Sequence, residues 1–168
     1  MKITIQHNTL SITDFNEFDA CRIGLAVEKQ GIRFYEKILE CVQNEEVKPM
    51  IKFLIEEERK HLTFFENALT ELRREKEEPC EDEDLFSSMN FGIFEPYQEM
   101  KEMCTVIDDI ERALDLGIII EERSIAFYRA CRDQVSSVRT KEELDRIIDE
   151  EKRHKELFLK VIKIEKGV

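Results

Sequence analysis

The sequence predicts an all-α protein: a four-helix bundle made of two repeated helical hairpins, with a long crossover between helices two and three. Three observations carry that prediction. Residues 20–69 lie over residues 113–162 without a gap, and Gly24/Gly117, Phe34/Phe127, Tyr35/Tyr128 and Phe65/Phe158 agree. Only five Gly and three Pro occur in 168 residues, which favours long helices over many short strands. In the first repeat, Ile23, Ala26, Val27, Phe34, Ile38 and Leu39 recur at helical rather than alternating spacing.

The elements follow in order. A first helix is expected over about residues 14–42, entered through Ser11-Ile12-Thr13-Asp14, a capping-box-like start. A second runs over about 45–76, where Pro49 is tolerated only near the amino end, because deeper inside it would remove a backbone bond. The stretch 77–105 changes character, with Pro79, Asp82, Ser87, Asn90, Gly92 and Pro96 as breakers. A structureless connection of that length is unusual in a compact domain, but a bundle needs one where it crosses over. Its Phe86, Phe91, Phe94 and Tyr97 are expected to pack along the bundle side. The third helix covers about 106–134, and the fourth, about 140–166, opens with Thr140-x-x-Glu143, read as a capping box.

At this length, residues 1–168 form one domain, and 42% hydrophobic with 38% charged residues is a globular composition. The net charge of −12 disfavours nucleic acid or an anionic membrane as a partner. The stretch MKITIQHNTL lacks the apolar core of a signal peptide, and the longest apolar run, Leu116 to Ile120, is too short to span a bilayer. Five cysteines (Cys21, Cys41, Cys80, Cys104, Cys131) contain no Cys-x-x-Cys pair, which excludes a zinc ribbon or rubredoxin-type iron centre. An odd number of thiols suits a reduced, cytoplasmic protein.

Within the repeat, Glu28 matches Glu121, Glu58 matches Glu151 and His61 matches His154, each pair 93 residues apart. Positions three apart on a helix are neighbours, so each Glu-x-x-His can aim both side chains at one ion. Four carboxylates and two imidazoles on four helices form the donor set of a di-iron or di-manganese site. Such an oxygen-rich set suits iron or manganese better than zinc. Glu is one residue in six, 28 of 168, so one such pair would mean little. Two in register, each with a matched Glu thirty residues upstream, are much harder to obtain by accident. A metal-free hairpin duplication explains the apolar matches but not four carboxylates near a core.

Glu57 and Glu150 also match and lie four residues before each His. The three-residue spacing favours Glu58 and Glu151 as ligands and leaves Glu57 and Glu150 at the surface or as outer partners. Tyr35 and Tyr128 lie seven residues after Glu28 and Glu121. They either hydrogen-bond ligand carboxylates across the bundle or serve as core aromatics with a polar tip. His7 reads as a surface residue and Cys21 as a small core residue.

The segments AVEKQGIRFYEKI with EEERKH, and IIEERSIAFYRAC with DEEKRH, resemble the rubrerythrin branch of the ferritin-like di-iron carboxylate superfamily. The resemblance implies a ferritin-like bundle with two Fe ions, or Mn or a Fe/Mn pair. The ligands would be Glu28, Glu58, His61, Glu121, Glu151 and His154. It also implies an oxidoreductase reacting with hydrogen peroxide or dioxygen, with electrons from a separate donor protein; a homodimer is the expected assembly. Two features depart from rubrerythrins. There are no rubredoxin-type cysteines, and the carboxylate that exchanges with a histidine is replaced by Ser124, with Gly31 at the equivalent place in helix one. The sequence therefore supports a four-Glu, two-His site without supporting that ligand exchange. The competing functions are a ferroxidase or iron-handling protein and a non-catalytic metal-binding bundle.

Overall fold

The computed structural model describes residues 2–6, 9–13, 16–76, 93 and 110–166. A short antiparallel hairpin, β1 (Lys2–Gln6) and β2 (Thr9–Thr13), precedes four helices: α1 (Glu17–Cys41), α2 (Lys48–Lys76), α3 (Ile110–Gln134) and α4 (Val138–Lys166). The four-helix bundle is the fold class expected, and the strand hairpin is an addition to it. Ile3 pairs with Ile12 and Ile5 with Leu10, and β2 lies against α3. The alternation in KITIQ and TLSIT was the available signal for these strands.

The strands correct the expected start of α1. Ser11 to Thr13 end β2, so they do not cap a helix. The true cap is Asn16, whose side chain accepts the Asp19 N–H at 2.8 Å while the Asp19 carboxylate accepts the Asn16 N–H at 3.4 Å. At α2 the expected start at Glu45 becomes a turn, in which the Asn44 side chain accepts the Glu46 N–H at 2.9 Å. Pro49 then falls in the first turn, where its missing N–H costs nothing. The capping box expected from Thr140 and Glu143 is also displaced. Ser137 Oγ accepts the Thr140 N–H at 3.2 Å, and the Ser137 carbonyl accepts the Lys141 N–H, so Thr140 sits inside the helix.

Short connections make α1/α2 and α3/α4 antiparallel hairpins, and the hairpins meet through α1 with α3 and α2 with α4. The core between them holds Phe34, Tyr35, Phe65, Phe127, Tyr128 and Phe158, all buried. Burying each ring stabilises the fold by about 1.5–3 kcal/mol relative to exposure. Ile23, Ala26, Val27 and Ile38 of the expected stripe are buried as well. Cys21 is a buried core residue, and burial, then Glu17, pushes its thiol up to about 12. The crossover residues Phe86, Phe91, Phe94 and Tyr97, the residues 106–109 and His7 lie outside the described residues. Ile93 is described: its carbonyl accepts a 3.0 Å hydrogen bond from Nη1 of the buried Arg123 on α3. Among the described residues no helix is long and apolar enough to cross a membrane.

Candidate metal centre

All six sequence-predicted residues converge inside the bundle, one Glu from α1 and α3 and one Glu–His pair from α2 and α4. None is more than 4% exposed. His61 Nδ1 lies 3.3 Å from Glu58, 3.4 Å from Glu151 and 3.7 Å from Glu28. His154 Nδ1 lies 3.1 Å from Glu151, 3.6 Å from Glu58 and 3.9 Å from Glu121. The two rings are near-parallel, 5.8 Å apart at 27°. These contacts resolve into two four-donor groups, Glu28–Glu58–His61–Glu151 and Glu58–Glu121–Glu151–His154, each with ligand atoms within 4.8 Å of one another. Glu58 and Glu151 belong to both groups, while Glu28 with His61 and Glu121 with His154 belong to one each.

Such a cluster is expensive to bury. Burial, then the neighbouring Glu58, pushes the Glu28 carboxyl well above its usual range, and burial with Glu151 does the same to Glu121. Burial also opposes ionisation of Glu58 and Glu151. Hydrogen bonds from Glu28 to Glu58, from Glu121 to Glu151 and from both imidazoles outweigh it, and both stay below the usual range. His154 is raised to about 9 against the pull of burial, through Glu151 and Glu58. His61 is raised too, by Glu28, Glu150 and Glu151. With protein groups alone, the cluster therefore holds on to protons. Four ionised carboxylates and two neutral imidazoles carry a charge of −4, which two divalent cations cancel. The donor set thus fits a pair of hard, six-coordinating divalent ions such as iron or manganese.

The surrounding residues fix these donors. The Tyr35 hydroxyl donates to Glu121 Oε1 and the Tyr128 hydroxyl to Glu28 Oε1. Each tyrosine thus serves the carboxylate of the opposite hairpin, and the crossed pairing shows that α1 and α3 run antiparallel. Burial, then those carboxylates, raises both phenols well above their usual range, so they remain donors. Glu150 Oε2 reaches His61 Nε2 at 2.9 Å, across from α4 to α2. A carboxylate there holds the ring proton on Nε2, so that once His61 gives up its second proton the Nδ1 lone pair faces the cluster. Glu57, its repeat partner, pairs with Lys60 instead. Glu58 and Glu151 thus lie in the cluster, and Glu57 and Glu150 lie outside it. Glu57, Glu150 and His154 all line a surface cleft of about 310 Å³ on the α2–α4 face.

Sequence reading did not find two further features. One is the buried Arg123 that binds the crossover; its position two residues after Glu121 was a visible but ambiguous signal. The other is the seating of Phe65 and Phe158 on Gly24 and Gly117, which the repeat displayed as matched residues without a reason. Ser124, one turn after Glu121, is buried.

Comparison with known proteins agrees with this geometry. The rubrerythrin family model matches residues 19–162 and also residues 3–69. A crystal structure from Thermotoga maritima, provisionally described as a ferritin-like diiron-carboxylate protein, superposes with a TM-score of 0.69. It is 23% identical and covers 91% of this chain and 98% of its own, which establishes the shared fold. No curated protein matched the chain. With a buried Glu/His cluster at the centre of a ferritin-like bundle, and a family match over most of its length, the chain belongs to the rubrerythrin family.

Proposed function

We propose that the bundle holds two iron ions, with manganese or a mixed pair as the alternative loading, and that it is an oxidoreductase reducing hydrogen peroxide or dioxygen. The observation that carries the reading is the pair of overlapping four-donor groups sharing Glu58 and Glu151. Glu28 and His61 would serve one ion, Glu121 and His154 the other, with Glu58 and Glu151 between them. When bound, the metal pair supplies two electrons and Lewis acidity at one buried point. Reduction of one peroxide to two waters breaks the O–O bond and takes two electrons and two protons. A separate electron-donor protein would return the electrons.

The chain's own groups set the conditions for that chemistry. Glu150 fixes the His61 tautomer. Tyr35 and Tyr128 each hold one oxygen, Oε1, of Glu121 and Glu28. The rings of Phe34, Phe65, Phe127 and Phe158 keep bulk water from the donors. With Ser124 and Gly31 one turn past Glu121 and Glu28, the same six ligands should serve both oxidation states.

Anaerobic loading with Fe(II), followed by stopped-flow absorbance against peroxide and against dioxygen, tests the proposal. Catalytic peroxide or dioxygen loss with a reductant supports it. Iron oxidised stoichiometrically and released would make the protein a ferroxidase instead, and an inert centre would leave a metal-binding bundle.

A further inference from the structure

We propose that Phe65 and Phe158 are positioning residues that aim the two tyrosines, and through them Glu28 and Glu121, each acting from one hairpin on the other. A Cβ added at Gly24 would stand 2.5, 2.7 and 2.8 Å from three ring carbons of Phe65. At Gly117 it would stand 2.7, 2.8 and 2.9 Å from ring carbons of Phe158. Each ring therefore occupies the space a methyl group would fill. A glycine in the middle of a helix weakens that helix, so a ring seated against it at both repeat positions gives the glycines a use.

Each ring also meets a tyrosine of the opposite hairpin. Phe65 stacks on Tyr128 with centroids 5.7 Å apart at 20°, and Phe158 meets Tyr35 at 5.7 Å and 41°. Tyr128 donates to Glu28, one helical turn beyond Gly24 on α1, and Tyr35 donates to Glu121, one turn beyond Gly117 on α3. Gly24, Phe65, Tyr128 and Glu28 thus close a ring through α1, α2, α3 and back to α1. Gly117, Phe158, Tyr35 and Glu121 close the mirror ring. The Tyr128 hydroxyl takes Glu28 Oε1, leaving Oε2 as the oxygen 3.7 Å from His61 Nδ1. A ring free to slide would let the tyrosine drop that oxygen, and Glu28 would lose its fixed aim.

The inference rests on the metal reading above, so its test carries one readout that needs no metal. In Phe65→Leu, and in Phe65→Met as a second variant, the ultraviolet resonance Raman signature of hydrogen-bonded Tyr128 should shift in metal-free protein, with Tyr35→Phe and Tyr97→Phe together as the background that isolates it. Co(II) titration followed by visible absorbance should then show one of two ions weakened about tenfold, the usual order for losing an outer partner. The other ion should stay within about twofold, and Phe158→Leu should reverse which ion is affected. In a Tyr128→Phe background Phe65→Leu should add no further loss, because Phe65 acts only through that hydroxyl. Gly24→Ala should reproduce the Phe65→Leu pattern. An unmoved tyrosine signature, equal weakening of both ions, or a loss that adds fully to Tyr128→Phe would overturn the proposal. Wild-type protein that binds no Co(II) would instead overturn the metal reading, and the tyrosine signature would still decide whether Phe65 aims Tyr128.

Discussion

The two hairpins each present the same three donors to the centre, a Glu and a Glu–His pair, yet treat the backs of their histidines differently. Around the cluster the halves are related by a pseudo-twofold: each supplies a Glu, a Glu-x-x-His and a tyrosine that crosses to the other side. Outside that shell the symmetry stops. Glu150 reaches His61, whereas its counterpart Glu57 is held on its own helix by Lys60. The residue matching Lys60 is Arg153, whose Nε donates to the Asp149 carbonyl at 3.1 Å and whose Nη2 stays 3.9 Å from Glu150. A lysine three residues on captures the glutamate; an arginine engaged elsewhere releases it. The inner set is constrained because every donor is buried and two of them, Glu58 and Glu151, belong to both groups. The outer set depends on which exposed cation competes, so two copies of one hairpin can diverge there at little cost.

The sharpest way to break this picture is at the shared carboxylates. Glu58→Gln or Glu151→Gln removes a donor from both groups, so stoichiometry should fall from about two ions per chain towards zero. Glu28→Gln or Glu121→Gln should lose one. Elemental analysis after equilibrium dialysis measures this. A loss of one ion from every variant alike would mean that Glu58 and Glu151 are not shared.

Removing the metal should cost less than those substitutions cost in binding, but it should be plain in melting. At free metal about ten times each dissociation constant, the two ions together contribute roughly 2.8 kcal/mol. At about 2–4 °C per kcal/mol for a chain of this size, the apo form should melt roughly 5–10 °C lower. The gap should widen with pH. His154 is raised to about 9, so the stability its proton contributes is full below its ordinary value near 6.5 and fades as pH climbs towards 9. Glu28 and Glu121, raised by burial, act in the same direction from their ordinary value near 4.5 upward. Metal loading must expel these protons, so affinity rises over the same window. Calorimetric melts of both forms between pH 6 and 9 check the trend; a gap that narrows would contradict it.

The inner site was legible from sequence because repetition multiplied a weak signal. A Glu-x-x-His alone is uninformative in a chain this acidic, but two in register with Glu28 and Glu121 left few other readings. The helices were legible through the spacing of residues such as Ile23, Val27 and Phe34. Their starts were not, because caps compete locally. Ser11–Asp14 and Asn16–Asp19 are both capping patterns, and pairing of β2 with β1 decided between them. Ser137 beat Thr140 in the same way. The reach of Glu150 to His61 depends on helix separation and on the engagement of Arg153 with the Asp149 carbonyl, neither of which a linear pattern encodes. The roles of Gly24 and Gly117 emerge only when rings from neighbouring helices are placed on them.

The asymmetry itself supports a smaller prediction. Glu150→Gln should weaken the ion at His61 about tenfold, since it removes the carboxylate that fixes the ring. Glu57→Gln should change either ion by less than about twofold. Competition with a coloured chelator measures both; equal effects would show that the His61–Glu150 contact carries no weight in binding.

The smallest effect tests the cause of the difference. If Lys60 is what keeps Glu57 from its histidine, Lys60→Met should free that carboxylate in the cleft it shares with His154. Glu57 could then take the position on His154 that Glu150 holds on His61, tightening the second ion by about two- to fivefold, below the full effect of an outer partner because the freed side chain must still be ordered. Lys60 is exposed, so the fold should be unaffected and the change readable in affinity alone. Adding Glu57→Gln to Lys60→Met should abolish the gain. An unchanged affinity in Lys60→Met would mean that helix spacing, rather than the lysine, separates the two halves.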